Sequence, residues 1–159
     1  NILSLAVVGR HIGAILGWTR FVNIILCSAF TGSLFSLAYS PYYAVVGASG
    51  GIFGLVGAYL AVCIKYQKQL PGSVSVPVRL VALGLAVQIL FDMVVDGVDI
   101  FSHIGGFLFG FLYTCVASYR CTADAAANSS FAERAIAVTG ILAYISGVIY
   151  FFALYFSRS

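Results

Sequence analysis

Charge is what this sequence lacks most. Only 8% of its 159 residues are Asp, Glu, Lys or Arg, against about 25% in an ordinary soluble domain. Hydrophobic residues make up 62%, and the mean hydropathy is +1.05. A soluble fold of this length could not hide so much apolar surface, because most residues of a small domain still touch water. The composition excludes an ordinary soluble globular domain, a disordered chain and a nucleic-acid binder. It leaves an integral membrane protein with the lipid bilayer as its solvent. The net charge of +3 is small and acts through its placement.

Metal and disulfide signatures are also missing. The four cysteines are Cys27, Cys63, Cys115 and Cys121. None forms a CxxC pair, and none neighbours a histidine at metal-ligand spacing. They read as core or lipid-facing thiols rather than a disulfide frame, and no metal is expected. The chain opens on Asn1 inside an apolar run. It reads as a piece whose N-terminal part is missing, with no identifiable signal peptide.

Apolar runs are what the sequence does have. No charged residue occurs from Phe21 to Ile64. That run is more than twice the ~20 residues that cross a hydrocarbon core, so it must turn. Tyr39-Ser40-Pro41-Tyr42-Tyr43 is the place, because proline disfavours helix and tyrosine suits the interface. The predicted spans are about 1–17, 21–38, 45–64, 77–95, 101–119 and 135–157, within a single domain over 1–159. The expected fold class is all-α, a polytopic transmembrane helix bundle.

The few charges orient it. If every segment crosses, Arg10, Arg20, Lys65, Lys68, Arg79, Arg120 and Arg134 fall on one side and only Arg158 on the other. The positive-inside rule makes that side cytoplasmic. Asp92, Asp96 and Asp99 fall opposite, and read as a solvated outer loop. The sequon Asn128-Ser129-Ser130 would then face the cytoplasm and stay unglycosylated. Trp18 reads as an interface anchor, and His11 as an interfacial residue without a catalytic part.

Glycines recur at four-residue spacing: Gly9, Gly13 and Gly17; Gly50 and Gly54; Gly106 and Gly110. Such stripes let helix backbones approach closely in lipid. Two of them adjoin the scarce polar residues, in Gly47-Ala48-Ser49-Gly50-Gly51 and Ser102-His103-Ile104-Gly105-Gly106. Ser49 precedes Lys65 by about 24 Å of helix, and His103 precedes Arg120 by about 26 Å. The two therefore lie at nearly equal depth, several Å below the outer surface of a roughly 30 Å core. A serine hydroxyl needs a base to become a useful nucleophile, and neutral imidazole is the commonest one. A helix starting at Ser49 would also aim free N–H groups at a developing oxyanion. Taken singly, a packing serine and a satisfied interior histidine would explain either residue. Equal depth and matched glycine faces favour a working pair, and an intramembrane ionisable residue is already a functional candidate.

The two motifs together resemble those of rhomboid intramembrane serine proteases. Gly47-Ala48-Ser49-Gly50 is similar to that family's Gly-x-Ser-Gly. His103 through Gly106 and Gly110 is similar to its His-x-x-Gly-x-x-x-Gly. The resemblance runs from Asn1 to about Tyr119. It implies Ser49 as nucleophile and His103 as general base, with motif glycines Gly47, Gly50, Gly106 and Gly110. It implies that Phe53 packs on the catalytic histidine. Asn1 resembles the asparagine of the family's His-x-x-x-Asn, so Asn1 and the Ser49 backbone N–H would hold the oxyanion. The matching histidine, and the family's first transmembrane helix with the loop after it, would precede residue 1. Segment 135–157 resembles the extra C-terminal helix of secretase-type members.

The expected function is a serine-type endopeptidase that cleaves transmembrane segments of single-pass membrane proteins, with no cofactor. The expected location is the plasma membrane or a secretory-pathway membrane. The other reading is a catalytically silent relative that binds transmembrane clients and directs their trafficking. Gly47 to Gly51 also fits the Gly-x-Ser-x-Gly elbow of α/β-hydrolases, but that elbow needs a soluble strand-to-helix context that this composition denies. Asp99, four residues before His103, either orients the imidazole or belongs to the outer loop.

Overall fold

A computed structural model describes residues 1–39, 48–66, 70, 76–95, 97–116 and 129–157. Among them lie six helices: α1 (Ile2–Leu16), α2 (Trp18–Tyr39), α3 (Ser49–Tyr66), α4 (Val78–Val94), α5 (Ile100–Val116) and α6 (Phe131–Ser157). No strand occurs among the described residues. The helix bounds differ from those of the expected spans by up to four residues. By length and composition α2, α3 and α6 can cross a membrane, while Ser4–Leu16 and α5 are shorter apolar helices. The expected turn at Ser40 to Tyr43, along with Gly47, Cys121 and Asn128, lies outside the described residues.

Small residues decide which helices meet. On α3, a Cβ at Gly51 would meet the Ile25 carbonyl oxygen of α2 at 2.7 Å. On α2, a Cβ at Gly32 would meet the Ser102 carbonyl oxygen of α5 at 2.6 Å. A Cβ at Gly54 would strike Ser28 of α2. Helices α2, α3 and α5 thus form a tight centre in which backbone lies against backbone. In lipid this is what drives association, since the tails are as apolar as leucine. Below the small-residue contacts, Ile12, Leu16, Ile24, Leu55, Val62 and Cys63 fill a core that is closed to solvent.

The first glycine stripe behaves differently from the expectation. Gly13 faces open space, and Gly17 ends α1 with φ 81. A Cβ at Gly9 would meet the Phe21 ring of α2 at 3.1 Å. The spacing there serves a chain reversal into α2 rather than helix packing, because glycine tolerates positive φ without a Cβ penalty.

Arg20 also departs from its reading as a loop charge. It is buried in the first turn of α2, and its Nε donates to Glu133 Oε1 at 2.8 Å. Glu133 reciprocates with Ser130 at the start of α6. Ser130 N–H donates to Glu133 Oε2 at 2.7 Å, and Glu133 N–H donates to Ser130 Oγ at 3.2 Å. This capping box satisfies two end groups of the helix at once. Asn23 Nδ2 adds a bond to the Glu133 carbonyl at 2.8 Å. A long apolar helix with most of its surface exposed is therefore pinned to α2 at its polar end. Glu133→Ala should lower stability by about 2–4 kcal/mol, because it removes the carboxylate opposite a buried guanidinium and the cap with it. Arg20→Met combined with Glu133→Gln should be milder, since glutamine keeps the cap and no buried charge is stranded. Thermal unfolding of the two variants in detergent checks the order.

Candidate active site

Helix α3 begins at Ser49, four residues later than the predicted span. The Ala48 carbonyl accepts the first helical bond, from Ile52 N–H at 3.1 Å. Ser49, Gly50 and Gly51 therefore form the first turn, whose N–H groups have no acceptor within the helix. Those groups and the helix dipole favour negative charge at that end. Tyr and Pro residues upstream, followed by three glycines around Ser49, explain why the helix starts here rather than earlier.

Glycine contacts bring α5 to the same place. A Cβ at Gly106 would strike the Gly50 carbonyl, and one at Gly110 would strike the Gly54 carbonyl. The two stripes that adjoin Ser49 and His103 in sequence thus face each other in space. Gly50 in turn lies against Ser102, where a Cβ would sit 2.8 Å from Ser102 Oγ. Ser49 and His103 are the chain neighbours of this Gly50–Ser102 contact.

Phe53 stacks on His103, with ring centroids 4.0 Å apart and planes 10° from parallel. Asn1, Ser49, Phe53 and His103 all line one cavity of about 550 Å³, which α4 borders through Gly84 and Gln88. Among the described residues, no hydrogen bond joins Ser49 to His103. Such bonds often tighten only when substrate is bound. Gly47 lies outside the described residues.

The acidic residues revise the picture of a solvated outer loop. Asp92 is buried in the last turn of α4. Its Oδ2 lies 2.7 Å from His103 Nδ1, and its Oδ1 accepts from Gln88 Nε2 at 2.8 Å. Asp99 does not orient the histidine. Its Oδ1 accepts from the N–H groups of Phe101 and Ser102, at 3.1 and 3.3 Å, and so caps α5. The five-residue link between α4 and α5 turns at Gly97, with φ 86, and folds Asp92 beneath the first turn of α5. Sequence reasoning passed over Asp92 because it counted all three aspartates as loop charges. The available signal was its position inside the predicted span 77–95. Asp99→Ala should lower stability by about 1 kcal/mol, the usual worth of such a cap. Any activity carried by Ser49 and His103 should stay within a few-fold of wild type in the folded protein. A near-total loss at full folding would assign Asp99 a role in the chemistry.

His11 stays apart from this site. Its Nδ1–H donates to the Val7 carbonyl at 2.7 Å, and its ring meets Tyr59 edge-on. Trp18 is exposed at the start of α2 and stacks on Phe21. Among the described residues, no cluster of three or more His, Cys, Asp or Glu could hold a metal.

Residues 1–120 match the Rhomboid domain, and the chain belongs to the rhomboid family. It is an integral membrane protein with a rhomboid-like helical bundle. Rhomboid protease GluP of Bacillus subtilis is 28% identical over 151 residues, covering 95% of this chain and 28% of that protein. RHOMBOID-like protein 1 of Arabidopsis thaliana is 35% identical over 116 residues, 70% of this chain and 28% of that one. Rhomboid-like protease 3 of Toxoplasma gondii is 34% identical over 103 residues, 62% of this chain and 38% of that one. The chain therefore spans between a quarter and two-fifths of these relatives' lengths. No solved structure matches it significantly.

Proposed function

We propose that this chain is the core of an intramembrane serine endopeptidase that acts on transmembrane segments of single-pass proteins. The observation that carries the reading is the shared cavity: Ser49, His103, Phe53 and Asn1 line it together, at the end of a tight glycine-to-glycine helix pair. Relatives whose names include "protease" support the same reading.

Ser49 Oγ attacks the scissile carbonyl carbon as its proton passes to His103 Nε2. The carbonyl oxygen becomes an oxyanion, held by the Ser49 backbone N–H and the Asn1 side chain. Collapse breaks the C–N bond, and His103 returns the proton to the leaving amine. Water, deprotonated by the same imidazole, then releases the acyl group and restores Ser49. The stack on Phe53 limits rotation of the imidazole. Water must reach the site, and a cavity of this size admits it.

The outer-leaflet end of the substrate helix is the expected cleavage region, given the depth of Ser49. A plasma or secretory-pathway membrane remains the proposed location, while one relative from Arabidopsis thaliana is named mitochondrial. A fluorophosphonate probe tests the nucleophile directly. Full-length protein should acquire the phosphonyl adduct on Ser49, and His103→Ala should not. Absence of the adduct from wild type, with clients still bound, would favour the silent client-binding alternative.

A further inference from the structure

Asp92 has no part in the chemistry just described, yet it is the most completely enclosed carboxylate in the site. Its side chain is 1% exposed, and His103's is 9% exposed. Burying a carboxylate is expensive unless it is paired and hydrogen-bonded. Here both oxygens are engaged, one by Gln88 and the other by the imidazole. An ionised carboxylate only accepts, so opposite one the proton of a neutral imidazole sits on Nδ1. Nε2 is then the nitrogen with the lone pair.

We propose that Asp92 is a positioning residue for His103, a third member that orients the base of the Ser49–His103 pair and is itself held by Gln88. This rests on the protease reading. Asp92 fixes the imidazole in the Nδ1–H tautomer, leaving Nε2 free to take the Ser49 proton. It also stabilises the imidazolium that forms as Ser49 attacks. Phe53 holds the ring plane and Asp92 holds the ring edge, so the histidine is fixed about both of its torsions. The residue reaches the site from α4, a different helix from either member of the pair. No proton passes to Asp92 at any step.

Asp92→Ala should lower kcat by at least about 100-fold, with KM within about threefold of wild type. Asp92→Asn should fall in the same direction at nearly unchanged volume, and Asp92→Glu should regain at least about tenfold by restoring a carboxylate. Labelling of Ser49 by fluorophosphonate should slow in parallel. Histidine ¹⁵N spectra of the full-length protein in micelles give a readout independent of turnover, with His103→Gln identifying the signal. Wild type should show Nδ1–H, and Asp92→Ala should shift His103 toward Nε2–H. An unchanged tautomer, or a wild-type kcat in both Asp92→Ala and Asp92→Asn, overturns the proposal. Should wild type neither cleave nor label, the protease reading fails, while the tautomer still decides what Asp92 does to His103.

Discussion

Replacing Gly106 with alanine is expected to force α5 away from α3 and lower the melting temperature in detergent by roughly 5–10 °C, on the order of 2–3 kcal/mol. The added Cβ would land on the Gly50 carbonyl, which is backbone and has no rotamer to escape into. The same argument holds at Gly110, which faces the Gly54 carbonyl. Separation of the helices would also part Ser49 from His103, so cleavage should fall further than the stability loss alone explains. Gly13→Ala and Gly147→Ala are the controls, because both positions face open space. They should stay within about 0.5 kcal/mol of wild type. Equal melting of Gly106→Ala and wild type would show that the helices do not approach as closely as described.

Ser49→Ala and His103→Ala are each expected to lower kcat by about 10⁴-fold or more, the scale found when one member of a cooperating nucleophile and base is removed. The double variant should be no worse than either single one. Once the nucleophile is gone the base has no proton to take, and without the base the hydroxyl is nearly inert. Additive losses would mean that the two residues act separately. Ser49→Ala should disturb folding little, since Ser49 is partly open to the cavity and the close packing runs through the glycines. His103→Ala takes a partner from the buried Asp92, so its kcat is compared at equal folded fraction.

Much of this bundle was legible in the sequence because lipid imposes simple rules. Uncharged runs marked the helices, and glycines four apart marked the faces that meet. Gly50, Gly54, Gly106 and Gly110 carried that signal: a Cβ at Gly106 or Gly110 would strike the Gly50 or Gly54 carbonyl, while Gly50 and Gly54 also face Ser102 and Ser28. The same rule overreached at Gly13 and Gly17, because spacing alone does not separate a packing stripe from a helix end. It also passed over α2, where Ser28, Gly32 and Ser36 are buried at the same four-residue spacing. Serines diluted that pattern.

Pairing of charges was the part least legible. Arg20 and Glu133 lie 113 residues apart, and Asp92 and His103 lie on separate helices. Charge counting assigns such residues to loops, since an unpaired charge is expelled from lipid. A paired charge can stay inside, and only the tertiary arrangement shows which partner is present. Asp99 illustrates the reverse. Its sequence offset suited His103, but the backbone N–H groups at the start of α5 lie closer to hand and take its oxygen.

The most direct test is cleavage of a reporter transmembrane substrate by the full-length protein, beside Ser49→Ala and His103→Ala, with the product termini read by mass spectrometry. Wild type alone should cut the substrate, near the outer end of its helix, and both variants should leave it intact. Equal cleavage by all three proteins would contradict a Ser49–His103 mechanism.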